Sequence, residues 1–409
     1  MRVLIPLAGV GAVLLFAWLL SSHRRAINLR TVLVAFIIQA GVAAFIFAVP
    51  WGRQALAGVV RGVQHVINFA NDGIAFVFGE QVTPTLGFTI AFNVLPAIVF
   101  FAALMSALYY LGVMQLVVGI IGGGLERLLK TSKAESVSAA SNIFVGHTEA
   151  PLVVRPYLAN MTQSELFAVM VGGCATIAGG VMMAYASMGI DVGYLLTASF
   201  MAAPGGLLIA KIMLPETGQP SPQTGEGTLS TEVRPVNIFE AIGNGAMTGL
   251  SVALSVGALL VAFVAIIYLL NGLIGWAGGL VGFEGLTLQQ ILGLLFAPVA
   301  WLLGVPWAEA ATAGSLIGQK LVLNEFYAYA AFIEVRDDLS PYTQLVVTFA
   351  LCGFSNFSSI AILLGGLGAV VPERRQDIAR FGLRAVIGGT LVNLVNAALA
   401  GLFFTLKGL

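Results

Sequence analysis

SNIFVGHTEAPLVVRPY, Ser141 to Tyr157, is a polar island in an apolar chain. It carries an amide, two aliphatic hydroxyls, an imidazole, a carboxylate, a guanidinium and two prolines. In hydrocarbon such groups are expensive, and backbone broken by Gly or Pro persists only when buried in protein or lining a wet cavity. Pro151, two residues after Glu149, prevents a helix from simply continuing, because proline lacks the amide donor and clashes with the preceding turn. The stretch reads as the tip of a re-entrant hairpin that holds a polar solute near the bilayer midplane. A cytosolic loop between two spans is the plainer alternative, and a second such stretch later in the chain argues against it.

The setting is a membrane. The chain has 409 residues, 58% hydrophobic and 9% charged, with a mean hydropathy of +0.96. Soluble domains carry roughly 25% charged residues, so a globular cytosolic enzyme is excluded. Lys+Arg and Asp+Glu both number 19, which gives no basic surface for nucleic acid. The 49 glycines and 15 prolines, many inside apolar runs, suit close helix packing and interrupted helices. Cys174 and Cys352 both lie in apolar segments and read as small packing residues rather than a disulfide or metal site. The first apolar run lacks a basic start and a small-residue cleavage site, so it reads as a retained span.

A span needs about 20 apolar residues. On that rule the expected crossings are Val3–Leu20, Val32–Val49, Phe88–Val118, Leu166–Met188, Tyr194–Leu214, Met247–Leu270, Tyr342–Val371 and Phe381–Leu406. Arg53–Phe78 has the spacing of an amphipathic interfacial helix, and Leu286–Leu303 reads as another. Pro215–Pro235 is a polar, Pro/Gly/Ser-rich link. With eight spans and the N-terminus outside, the Lys and Arg clusters after spans one, three, five and seven all fall in the cytoplasm. Both termini then lie outside, on the periplasmic face of an inner membrane.

A repeat organises the core. Gly318–Phe332, GQKLVLNEFYAYAAF, is again apolar with polar residues at its centre, among them Glu325. Each such stretch leads into a span with a small, polar middle: Gly172–Gly180 after Glu149, and Cys352–Ala361 after Glu325. One more span follows each. Hairpin, broken helix, helix thus occurs twice, with opposite orientation, which is the sequence pointer to a secondary transporter. The expected fold is an all-α polytopic membrane protein of eight transmembrane helices, two re-entrant hairpins and interfacial helices. Its expected divisions are 1–80 (N-terminal spans and interfacial helix), 81–133 (scaffold span), 134–214 (first repeat), 215–246 (cytoplasmic link and amphipathic helix), 247–305 (scaffold span and interfacial helix) and 306–409 (second repeat).

The chemistry is recognition rather than bond-making. Glu149 and Glu325 are acceptors, and Thr148, Asn324, Ser355, Asn356, Ser358 and Ser359 supply donors and acceptors. That set suits a neutral polyol or heterocycle, whose OH and NH groups would otherwise go unpaired. Structural ion pairs, Glu149 with Arg155 and Glu325 with Lys320, are the bland alternatives. No phosphate loop is present, so an ion gradient or the solute's own gradient drives the cycle. One cation moving down 100 mV releases about 2.3 kcal/mol, roughly a fiftyfold accumulation of a neutral solute. Asn142, the carbonyls near Val145, and Thr176 with its neighbouring carbonyls offer hard oxygens to sodium. A back-bonded helix hydroxyl is the other reading of Thr176. An intramembrane enzyme or receptor is the reading from a different class, but the paired carboxylates come without a nucleophile–base pair.

At GHTEAPLVVRPY, LNEFYAY and LCGFSNFSSIAI the chain resembles the concentrative nucleoside transporter family, over about Leu95 to the C-terminus. The resemblance implies a homotrimer that imports a nucleoside with sodium, sodium being a coupling ion rather than a cofactor. It implies nucleobase contacts from His147, Thr148, Glu149 and Val181. Ribose contacts would come from Glu325, Asn356 and Ser359, with Phe354 packed nearby, and sodium ligands from Asn142, Val145, Thr176 and Ile177. The chain departs from the family at His147, where Gln is usual. An amide offers donor and acceptor together, whereas neutral imidazole carries one of each on opposite ring positions, so base preference is open. A proton-coupled symporter acting through Glu149 or His147 is the alternative.

Overall fold

The structure is a computed structural model that describes residues 3–79, 89–147, 149–220, 235–280 and 282–407, and its regular elements there are helices. α1 (Leu4–Leu19) and α2 (Leu29–Ala48) open the chain, and the Asn28 side chain accepts the Arg30 and Thr31 amides to start α2. α3 (Pro50–Phe78) is long and amphipathic, with few buried side chains, as the Arg53–Phe78 pattern predicts.

The third span is shorter than its hydropathy. A π-turn over Ile90–Val94 leads into α4 (Leu95–Tyr110). The chain then turns at Gly112, φ +80°, which glycine adopts without strain. α5 (Val113–Leu129) follows as a separate helix with one buried stripe, so Val113–Val118 is not part of the crossing.

The described elements follow in the order helix, turn, short helices, broken helix and helix in the first half. Hairpin 1 begins with α6 (Lys133–Ser141), started by a capping box of Ser132 and Glu135. Its return limb is two short pieces, α7 (Ala150–Val153) and α8 (Arg155–Leu158), because Pro151 and Pro156 each restart the helix. α9 (Gln163–Ala175) breaks at Thr176 and resumes as α10 (Gly179–Ser187), and α11 (Val192–Met213) follows. α12 (Ile238–Leu280) is one helix of 43 residues. The amphipathic segment and the Met247–Leu270 span, expected as separate units, are continuous in it. Residues 221–234 of the polar link lie outside the described residues.

In the second half α13 (Leu288–Leu302) turns by 115° into α14 (Trp307–Val322), and the two pack along each other. α15 (Glu325–Val335) completes hairpin 2. α16 (Pro341–Leu351) breaks before α17 (Ser358–Val370), and α18 (Arg375–Lys407) closes the chain. Helical segments long and apolar enough to cross a bilayer are Leu29–Ala48, Ile90–Tyr110, Gln163–Ser187, Val192–Met213, Ile238–Leu280 and Pro372–Leu406. The other two expected crossings are the short α1 and the broken α16–α17.

The breaks meet at the centre. The Phe354 amide donates to the Thr176 carbonyl at 3.0 Å. From α18, the Asn393 side-chain nitrogen donates to Ala175 O at 2.7 Å and Cys352 O at 2.8 Å, the carbonyls at the two interrupted helix ends. Gly353 lies so close that a Cβ there would be 2.5 Å from Asn393 Oδ1 and 2.8 Å from Ala175 O. Both cysteines are free and buried beside this crossing.

Asn393→Leu strands two buried carbonyls. The expected loss is about 2–6 kcal/mol of folding stability, from roughly 1–3 kcal/mol for each unsatisfied group. Thermal melting of the purified protein in detergent measures it, and an unchanged melting temperature refutes the assigned role.

Candidate functional site

The breaks and the hairpin tips surround one cavity of about 1180 Å³. Hairpin 1 supplies His147 and Glu149, α10 supplies Val181, and hairpin 2 supplies Asn324 and Glu325. Phe354, Asn356, Ser358 and Ser359 come from the break before α17 and its first turn. The structure therefore brings together every substrate-contact residue expected from the sequence except Thr148, which lies outside the described residues.

On one wall, Glu325 opens α15, where the positive helix end favours a carboxylate. Its Oε2 accepts from Asn356 Nδ2 at 2.8 Å, and its Oε1 accepts from the Tyr185 hydroxyl at 3.2 Å. Asn356 Oδ1 in turn accepts from Ser358 Oγ at 2.6 Å and the Ser359 amide at 3.0 Å. The Ser359 hydroxyl donates to the Phe354 carbonyl. The cluster is a preorganised array of acid, amide and hydroxyls, rigid because each member fixes the next. Asn324 has a structural duty, its Oδ1 accepting the Tyr327 amide at 2.8 Å to cap α15.

The opposite wall is less satisfied. His147 is 6% exposed, and neither ring nitrogen has a hydrogen-bond partner among the described residues. Its ring meets the Phe354 ring at 4.8 Å between centroids, inclined by 74°, an edge-to-face contact. A buried imidazole with both nitrogens open, next to an aromatic ring, has the chemistry to pair with a flat heterocycle.

Behind that tip, Asn142 and Thr176 meet at Gly172. The Asn142 side chain is 1% exposed, lies against Gly172 and Gly173, and has no partner for either amide atom among the described residues. Thr176 Oγ1 donates to Gly172 O at 3.0 Å, the back-bonded arrangement, which leaves the hydroxyl oxygen's lone pairs open. No described backbone amide reaches the carbonyls of Val145 or Ile177. The group sits at the C-terminal end of α9, where the helix dipole favours a cation. These are hard neutral oxygens, the donor set for an alkali cation rather than a transition metal.

One alternative reading falls and one expectation is corrected. Lys320 does not pair with Glu325. Its Nζ donates to Ser355 Oγ at 2.5 Å, Asn393 Oδ1 at 2.7 Å and Ala350 O at 3.3 Å. Ser355 accordingly turns away from the cavity and into that network, donating to Asn393 Oδ1 at 3.0 Å. Proximity along the chain suggested the ion pair, but the ammonium follows the unsatisfied carbonyl end of α16. Sequence reasoning also missed Tyr185, whose ring packs on Tyr329 at 4.5 Å and Phe326 at 5.4 Å. The available signal was one phenol in a fully apolar stretch, since a buried tyrosine hydroxyl needs a partner.

Comparison with known proteins gives a consistent result. Residues 8–81 match a family model described as the N-terminus of Na+ dependent nucleoside transporters, 91–191 one described as nucleoside recognition, and 194–401 the Na+ dependent nucleoside transporter C-terminus. The chain is 49% identical to the nucleoside permease NupC of Helicobacter pylori, over 99% of this chain and 98% of that one. It is 39% identical to the mouse sodium/nucleoside cotransporter 1, over 99% of this chain and 64% of that one. The inward-facing, substrate-bound structure of CNTnw superposes with a TM-score of 0.95 at 50% identity, covering 100% of this chain and 99% of that one.

The Tyr185–Glu325 bond joins the two repeats and is separable from the rest of the site. A double-mutant cycle of Tyr185→Phe and Glu325→Gln, read by melting temperature, is expected to give a coupling of about 1–2 kcal/mol. Additive effects would show that the hydroxyl does not hold the carboxylate.

Proposed function

Because the chain belongs to the concentrative nucleoside transporter family, we propose that it imports nucleosides together with sodium ions, by alternating access around a site between its two hairpins. The family's members are transporters and permeases, not enzymes, and this chain is a multi-pass membrane protein of that kind. The observation that carries the finer reading is the division of the cavity wall. A hydrogen-bonded acid–amide–hydroxyl cluster and an open imidazole beside an aromatic ring line the same cavity.

The sugar hydroxyls bind the first wall. Glu325 accepts from them, Asn356 and Ser359 position it, and Phe354 covers the ring. The base enters between His147, Thr148, Glu149 and Val181. Sodium is cargo here, held by Asn142 Oδ1, Thr176 Oγ1 and the carbonyls of Val145 and Ile177. The unpartnered Asn142 amide supports this, because a buried carboxamide without partners is unfavourable until something fills the site. Asn142 and His147 are five residues apart on one tip, so an ion on the first stiffens the backbone that presents the second.

The two hairpins enter from opposite leaflets, and the protein sits in the inner membrane with both termini periplasmic. The assembly is a homotrimer. Exposed apolar side chains along α12, Met247, Leu254, Val261 and Tyr268 among them, support a face covered by lipid or by neighbouring protomers.

Uptake of labelled uridine into vesicles tests the reading. An inward sodium gradient is expected to raise uptake strongly over choline at the same ionic strength, and equal uptake in both refutes sodium coupling. The pair of open nitrogens on His147 supports a proton-coupled reading, under which uptake follows the pH gradient and ignores sodium. Glu325→Gln is expected to weaken nucleoside binding about ten- to hundredfold, the value of one to two charged hydrogen bonds. The free base should lose little. Equal losses for base and nucleoside in calorimetry would remove Glu325 from the sugar.

A further inference from the structure

Each hairpin places one acid on the cavity wall, Glu149 in the first and Glu325 in the second. The first has a group of open oxygens behind it, at the end of the interrupted helix α9. The place related to it by the repeat, at the end of the interrupted helix α16, already holds a positive charge: the side chain of Lys320, which is 1% exposed.

The protonation of Lys320 follows from its partners. Asn393 Nδ2 is committed to the carbonyls of Ala175 and Cys352, so its Oδ1 faces the nitrogen as an acceptor. Ser355 Oγ gives its proton to the same Oδ1, at 3.0 Å, so its lone pairs also face the nitrogen. Ala350 O can only accept. With the Ser355 proton on Oδ1, three acceptors surround one nitrogen, and the ammonium ion satisfies all three. The set of ligands is that of the first repeat in kind: an amide oxygen, a hydroxyl and a backbone carbonyl. Asn142, Thr176 and Val145 or Ile177 offer the same set in the first repeat.

We propose that Lys320 is a tethered cation occupying, in the second repeat, the position that the coupling ion occupies in the first, so that one mobile cation accompanies each nucleoside. The inference rests on the sodium reading above. Its consequence is that the cation place of the second repeat is filled permanently, whereas that of the first is filled only when the ion is bound. Coupling is thereby confined to hairpin 1, because hairpin 2 has no ion to lose.

Sodium-dependent uridine uptake in proteoliposomes tests this on the natural protein and on Lys320→Ala, which removes both the charge and the bulk and leaves three hard oxygens facing one another. The natural protein is expected to show a Hill coefficient for sodium of about 1, and Lys320→Ala one approaching 2, the number of sites then open. A folded Lys320→Ala protein whose coefficient stays at about 1 overturns the proposal while leaving sodium coupling intact. If the natural protein ignores sodium, the sodium reading falls and this inference falls with it. Should Lys320→Ala not fold alone, it is purified with methylammonium, which restores the missing charge as a free ligand. A melting temperature that rises with methylammonium but not with choline, and does not rise in the natural protein, supports the tethered cation. No selective rise overturns it.

Discussion

The amide of Asn393 is the constraint on which the rest of the molecule depends. An interrupted helix in a membrane leaves carbonyls at its broken end, and no water is present to satisfy them. Here two interrupted helices cross, and one side chain from α18 serves both ends, Ala175 O and Cys352 O. The bond from Phe354 to the Thr176 carbonyl locks the crossing at its midpoint. Without these contacts the extended segments would be untenable. With them, the same segments can turn side chains and free carbonyls toward a ligand.

Charge placement follows from the same geometry. The C-terminal ends of α9 and α16 point their negative poles at the crossing, so cations are favoured there, while Glu325 sits at the positive start of α15. Lys211 shows what a purely structural buried cation looks like in this fold. It pairs with Glu135 at the base of hairpin 1, lies 2.9 Å from Ser164 Oγ, and anchors the first limb against α11 far from the cavity wall. Lys320 differs in having only neutral partners.

Much of this was legible in the residues. The polar islands, the acids at their centres and the repeated order of hairpin, broken helix and helix all follow from what a bilayer forbids. What was not legible depends on direction rather than composition. Hydropathy runs unbroken from Leu95 through Val118, so only the positive φ of Gly112 ends the helix, and a lone glycine in an apolar run does not announce its conformation. Ile238–Leu280 hides the opposite error, since a polar start at Glu240 and Asn244 does not oblige a helix to stop. Lys320 lies five residues from Glu325, and opposite charges so close in sequence suggest a pair. The carbonyl that draws the lysine away belongs to a helix end thirty residues on. Tyr185 was missed because its partner is 140 residues distant.

The two repeats are alike in outline and unlike in how far their polar groups are satisfied, and that difference bears on which half moves. In the second repeat the Glu325, Asn356, Ser359 and Lys320 side chains are bonded without any ligand. In the first, Asn142 and His147 are buried with no partner among the described residues. A group whose polar atoms are satisfied only when something is bound is stabilised by that ligand in proportion to its occupancy, whereas a prefilled group is indifferent to it. On the proposed reading, ion and base therefore act on hairpin 1, and hairpin 2 meets the sugar as a fixed surface. The Tyr185 hydroxyl, carried by the first repeat and bonded to the acid of the second, is one of the contacts that join the two at the site itself.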